Sequence, residues 1–373
     1  MNSAERILRA INHQEADRVA LSDYYWPSTL ERWHKEGLPE DVPIIDPFSP
    51  EAYLRARQGK DVSAADYFGL EIVYLRPDIS PRFETEIIDE DEEYVLERTP
   101  FGSLRRQHRN HSSTPEVVDW AIKTRDDWNR IKPRLQPDPT RVDWEAAHAV
   151  YNSARQQGKF VSFYAHVGWA HFQEYIRNDQ LLMLMATDPE WAREMFQVQA
   201  EMVIGMAQIM MDGGFQFDAG RVDCDLGYRN GLFFSPDLYR SLQFPIHKMV
   251  FRFFRDRGKP VILHSDGRVK ALIPQFLEAG VSVLNPIETK AGMDLIELKR
   301  EYGKDLAFMG GIDVRAMADP DPRVIEDEIK RKFEVAMVGG GYIYHSDHSI
   351  PDNVSLAQYQ HVLELVRKYG VYS

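Results

Sequence analysis

The sequence predicts a (β/α)8 TIM barrel on three observations. Short β-branched or apolar runs, most of them followed by Gly, Asp or Asn, recur eight times. Amphipathic stretches of helical spacing lie between most of these runs. No Gly-x-Gly-x-x-Gly follows a run, which argues against the doubly wound dinucleotide-binding sheet, the other architecture that strand-helix alternation allows. Eight successive βα units close a barrel before they build anything else.

The chain opens on an amphipathic helical extension, with Ile7, Leu8 and Ile11 separated by charges, a pattern unlike a secretion signal. The first two runs start at Arg18 ("RVALSDYYW") and Glu71 ("EIVYLRP"). Residues 81–110 then break the pattern: Thr, Ile, Tyr, Val and Leu alternate with polar residues around a Thr-Pro-Phe-Gly turn, which predicts a β-hairpin insertion on one end of the barrel. Residues 115–135 and 143–157 read as helices leading into the third run at Phe160 ("FVSFYAHVGW"). The remaining runs start at Phe215, Pro260, Val281, Leu306 and Gly341. Helical patterns cover 189–211, 236–257, 268–279, 294–302 and 322–338. With no internal repeat, low-complexity tract or linker, residues 1–373 are expected to form a single elaborated domain.

Composition bounds the function. Hydrophobic residues make up 43% of the 373, ample for a large core, and no apolar run approaches the roughly 18–20 residues of a membrane span. Lys plus Arg number 45 against 58 Asp plus Glu, a net charge of −13 that repels phosphate backbones and excludes nucleic acid as the expected partner. Cys224 is the only cysteine, so a zinc site of several thiolates is excluded and a reducing cytoplasm is the expected setting.

In such a barrel the chemistry sits where strands end and βα loops converge. His264 and Asp266 stand on alternate residues at the end of the fifth run, and His348 follows the eighth. Two imidazoles and a carboxylate suit zinc with one open position, or else a polar pocket without metal. Asp218, Asp223 and Asp225 after the fourth run could serve as acid or base, bind substrate, ligate metal, or merely cap helices and pair with Arg221 and Arg229. Glu288 ends the sixth run as a further acid or base. Tyr164, His166 and Trp169 end the third and predict an aromatic-walled substrate pocket, to which Tyr25 of the first run is added. Cys224 has no evident base beside it and reads as a packed thiol.

At these residues the chain resembles the uroporphyrinogen decarboxylase superfamily, which includes cobalamin-dependent methyltransferases. The likeness runs from "ERILRAINHQEADRV" through "SPDLYRSLQFPIHK", "ILHSDGRVKALIPQFLEAGVSVLNP", "GMDLIELKREYG" and "FMGGIDV" to "GGYIYHSDHSIPDNVS". Decarboxylases of the family carry an arginine-rich segment after the first strand that grips substrate carboxylates. Here that segment reads "LSDYYWPST", and no arginine lies between Arg18 and Arg32. The methyltransferase branch carries His-x-Cys-Gly at the fifth strand and a later Cys, which together bind zinc. Here the motif reads His264-Ser265-Asp266-Gly267, and His348 takes the place of the second Cys, although it also matches a substrate-contacting His of the decarboxylases.

The resemblance therefore implies a zinc-dependent methyltransferase with metal on His264, Asp266 and His348. His and Asp leave a harder ion than thiolates do, one that prefers oxygen. The implied substrate is small and methoxylated, bound among Tyr164, His166, Trp169, Asp223 and Tyr25, with Asp225, Glu288 and Tyr164 as catalytic groups. Cobalamin would reside on a separate corrinoid protein, since nothing in the chain resembles a cobalamin-binding module. A homodimer is an open expectation. A cofactor-free decarboxylase using Asp225, Tyr164 and His348 is the alternative.

Overall fold

The computed structural model describes residues 1–44, 63–109 and 116–372. Eight parallel strands form the barrel: β1 (Ala20–Leu21), β2 (Ile72–Leu75), β3 (Phe160–His166), β4 (Ala219–Asp223), β5 (Val261–His264), β6 (Val283–Asn285), β7 (Ala307–Met309) and β8 (Tyr342–Tyr344). Each falls within a run identified from the sequence. Around the barrel the order is β1-β8-β7-β6-β5-β4-β3-β2, all pairs parallel.

The seam between β1 and β2 is closed by one residue. Glu71 donates its main-chain N–H to the Leu21 carbonyl at 2.9 Å, and its carboxylate accepts the Leu21 N–H at 2.7 Å. A side chain thus replaces the main-chain acceptor that short strands cannot supply. Glu71 is buried, and Arg6 and Arg18 both pair with it.

Strand residues alternate between the barrel interior and the surrounding helices. The inward positions nearest the N-terminal end are apolar: Ala20, Ile72, Phe160, Ala219, Ile262, Val283, Ala307 and Ile343. The amphipathic helix α1 (Ser3–Ile11) plugs this end with Ile7, Ala10 and Ile11. Its N-cap Asn2 accepts the Glu5 N–H, which satisfies an otherwise unpaired donor of the first turn. The opposite strand faces bury a second, larger core against the helices.

Two expectations need correction. The insertion is a four-stranded antiparallel sheet rather than a hairpin, with strands Glu86–Glu90, Tyr94–Arg98, Leu104–His108 and Glu116–Asp119 in chain order. Its fourth strand occupies sequence read as helix. The β-branched pair Val117 and Val118 extends the sheet, and helix begins only at Arg125, where Thr124 and Asp127 form a capping box. Asn110 and Pro115, at the edges of the expected segments, lie outside the described residues. The Thr-Pro-Phe-Gly turn is present, with the Gly102 N–H donating to Thr99 O at 2.8 Å, and a Cβ at Gly102 would meet the Phe83 ring at 2.7 Å. Phe101 packs on His171 and Tyr175, seating the insertion beside the loop that follows β3.

Candidate functional site

At the C-terminal end the inward positions turn polar. Strand register places His166, Asp223, His264 and Asn285 side by side across β3, β4, β5 and β6. Asp225 and Asp266 lie two residues beyond Asp223 and His264 and complete a group at the mouth. His264 Nε2 stands 3.7 Å from Asp225 Oδ1 and 3.8 Å from Asp266 Oδ1.

The imidazole is oriented from below. Asn285 donates from Nδ2 to Met309 O at 3.0 Å, which turns its Oδ1 toward His264 Nδ1, 2.6 Å away. Nδ1 therefore carries the proton it donates, and Nε2 faces the two carboxylates. Asp266 Oδ1 is buried with no hydrogen-bond partner.

This donor set fits zinc. Ligands on a tetrahedral zinc at about 2.0–2.1 Å lie about 3.3 Å apart, so the two His264 spacings need only a small contraction, and all three ligand atoms lie within 4.8 Å of one another. A buried orphan carboxylate oxygen facing an oriented imidazole nitrogen is the arrangement a cation would complete.

The charges are interdependent. Burial and the neighbouring Asp266 push Asp225 up to about 6. Burial acts the same way on Asp266, but His264 and His348 outweigh it and hold that carboxyl at about 2. His264 is raised because Asp223, Asp266 and Asp225 together overcome its burial. The site thus stabilises positive charge at its centre, whether carried by a proton or by a metal.

The other expected residues are dispersed. His348 reaches the centre through the far oxygen of Asp266, Nε2 to Oδ2 at 3.4 Å, so Asp225 rather than His348 completes the closest triad. Tyr164 and His166 lie at the mouth and bond to each other, Oη to Nε2 at 2.7 Å. Burial keeps His166 neutral, near 4, and holds the Tyr164 phenol well above its usual range. Asp223 is engaged by Arg221 through two bonds of 2.7 and 3.1 Å.

Glu288 lies beside the centre, where its charge acts on His348. It accepts the Gly267 N–H at 2.6 Å and forms an ion pair with the Lys290 ammonium at 3.3 Å, which braces the turn after Asp266. Gly267 is required there: φ is +82°, and a Cβ would come within 2.2 Å of the Gly227 backbone. Trp169 is fully buried against Phe233 and Phe234. Tyr25 points outward, into an aromatic cluster with Trp33, Phe68 and Tyr359. Asp218 belongs to the opposite end of the barrel, where it accepts the Val161 N–H and pairs with Arg155. Cys224 is buried and its thiol is pushed up by that burial, as packing predicts.

Sequence reasoning missed Asn285, Tyr24 and Tyr74, and read Arg221 only as a partner of the aspartates. The guanidinium of Arg221 lies 5.0, 4.9 and 5.7 Å from the ring centres of Tyr24, Tyr74 and Tyr164, within a tyrosine cage that forms the floor of the mouth. The alternation Ser22/Tyr24 inward and Asp23/Tyr25 outward was the available signal.

The sequence profile of the uroporphyrinogen decarboxylase family matches residues 173–369, just over half of the chain, and the protein belongs to that family. Among solved structures it is similar to a methyltransferase from Methanosarcina mazei, with 16% identity, TM-score 0.63 and 99% of each chain covered. It is also similar to a B12-independent methionine synthase from Shewanella sp. W3-18-1, with 9% identity, TM-score 0.44 and coverage of 95% and 93%. No curated protein sequence matches it. No described helix is long and apolar enough to cross a membrane.

Proposed function

We propose that this protein is a zinc-dependent methyltransferase that moves a methyl group from a small methoxylated substrate to the cobalamin of a separate corrinoid protein in the cytoplasm. The observation that carries this reading is the His264 imidazole, fixed through Asn285 and aimed at Asp225 and Asp266. The resemblance of the mouth motifs to the methyltransferase branch, and the likeness to the Methanosarcina mazei methyltransferase, support it.

Asp225, His264 and Asp266 would hold the metal, with His348 steadying Asp266 through its second oxygen. When bound, zinc supplies Lewis acidity toward an ether oxygen, and the all-nitrogen-and-oxygen donor set leaves it hard enough to prefer that atom. Tyr164 keeps its proton and shares it with neutral His166, and this pair can hydrogen-bond a departing oxygen. The buried Arg221–Asp223 pair fixes the floor beneath. Glu288 keeps the Gly267 turn, and so Asp266, in place.

Elemental analysis of the purified protein and of Asp266→Ala tests the metal, with about one zinc per chain expected in the first and none in the second. Transfer from methoxylated aromatic ethers to a reduced corrinoid protein tests the reaction. Retained turnover in a metal-free His264→Ala variant would overturn the reading. Porphyrinogen decarboxylation without any corrinoid would move the assignment to a decarboxylase.

A further inference from the structure

The rim of the mouth carries groups that the methyl-transfer reading leaves unused. Trp26, just past β1, is 40% exposed, and its indole stacks on His348 with ring centres 6.2 Å apart and planes 22° from parallel. A large exposed aromatic directly over a polar centre is unusual, because apolar area of that size is normally buried. Lys290 approaches from the β6 loop. Its ammonium pairs with Glu288 at 3.3 Å, the side chain remains 36% exposed, and its field reaches Asp266, Asp347 and His348. An ammonium has three donors, and the ion pair with Glu288 engages at most one. Trp26, His348, Asp266 and Lys290 therefore form a half-open edge of the centre, with an apolar plate on one side and a cation on the other.

We propose that Trp26 and Lys290 form a subsite that selects aromatic carboxylates, the indole covering the ring and the ammonium pairing with the carboxylate. The inference rests on the methyl-transfer reading in taking the substrate to be a methoxylated aromatic, and it narrows that class to methoxybenzoate-like acids.

Binding isolates this claim because it needs no methyl acceptor. Calorimetry on the full-length, zinc-loaded protein would compare 2-, 3- and 4-methoxybenzoate with the matching methoxybenzamides, which keep the shape and lose the charge. The wild type is expected to prefer at least one acid over its amide by about tenfold or more. Lys290→Gln, which can still bond to Glu288, should erase that preference by weakening the acid about tenfold while the amide changes by less than about twofold. Trp26→Ala should weaken acid and amide alike. Arg76→Gln, on the β2 side, should leave the preference intact.

Equal affinity for acid and amide in the wild type, binding of neither, or a preference that survives Lys290→Gln or follows Arg76 would overturn the proposal. Selective binding without methyl transfer would retain the subsite and remove the methyl-transfer reading. Transfer from ethers without selectivity would do the reverse.

Discussion

The two ends of the barrel interior are built by the same eight strands and the same alternation, yet they solve opposite problems. At the N-terminal end, Ile72, Phe160, Ile262, Val283 and Ile343 pack on α1, and the charges there, Arg6, Asp17, Arg18 and Glu71, are paired with one another. At the C-terminal end, His166, Asp223, His264 and Asn285 occupy equivalent inward positions a few residues along, and Asp266 keeps an oxygen without a hydrogen bond. One end pairs its charges internally, while the other holds polarity in reserve for a ligand. Substitutions at the first end should therefore cost stability and spare metal binding, and those at the second should do the opposite.

The largest effect is expected at the mouth. His264→Ala should remove bound zinc altogether and lower methyl transfer about 10²–10³-fold or more, as loss of a main electrostatic element does. Its unfolding midpoint in urea, compared with zinc-free wild type, should fall only modestly, because His264 contributes one bond to Asn285 and ion pairs of 3.7 and 3.8 Å to Asp225 and Asp266. A variant that keeps zinc, or that loses much stability, would break the division between the two ends.

Glu71→Ala is the counterpart at the other end. It strips Arg6 and Arg18 of a buried partner and removes the acceptor that closes the β1–β2 seam, so a loss of about 3–5 kcal/mol is expected in urea unfolding. Zinc stoichiometry of the folded fraction should not change. A smaller effect is expected for Asn285→Ala, which leaves every candidate ligand in place and removes only the group that orients His264. Zinc affinity, read by chelator competition, should fall about 10–100-fold.

The sequence was most legible where one physical rule decides the outcome. All eight barrel strands lie within the runs it marks, because buried parallel strands must be apolar and loops must break them. Within the site, His264 and Asp266 were readable from motif and spacing. The errors arise where a second rule decides. Tyr24 and Tyr25 are chemically alike, and only their phase on β1 sends one to the Arg221 cage and the other to the outer core. Asn285 reads as the start of a loop, and its role depends on a neighbour 21 residues earlier that strand register brings alongside. The motif put His348 among the ligands and Asp225 among the acids and bases, and the two oxygens of Asp266 divide them, Oδ1 toward the triad with Asp225 and Oδ2 toward His348. The Glu116–Asp119 strand is only four residues long, too short for its pattern to outweigh the helix that follows.

The smallest predicted effect separates the two ends by pH. The Arg6 guanidinium bonds both oxygens of Asp17 at 2.7 Å and holds that carboxyl well below the usual carboxylate range. A carboxyl whose folded-state pKa is depressed adds stability that is fully present above its unfolded value of about 3.9 and is lost as the pH falls toward the folded value. Because the Asp17 side chain is 44% exposed, solvent screening limits the contribution to about 1 kcal/mol or less. Asp17→Asn should therefore unfold slightly more easily than the wild type at pH 7, and the gap should close progressively below about pH 4. Zinc content at pH 7 should be identical in the two proteins. A gap that widened in acid would mean that Asp17 is held by something other than Arg6, and that the paired charges around α1 are not the self-contained network that distinguishes this end from the mouth.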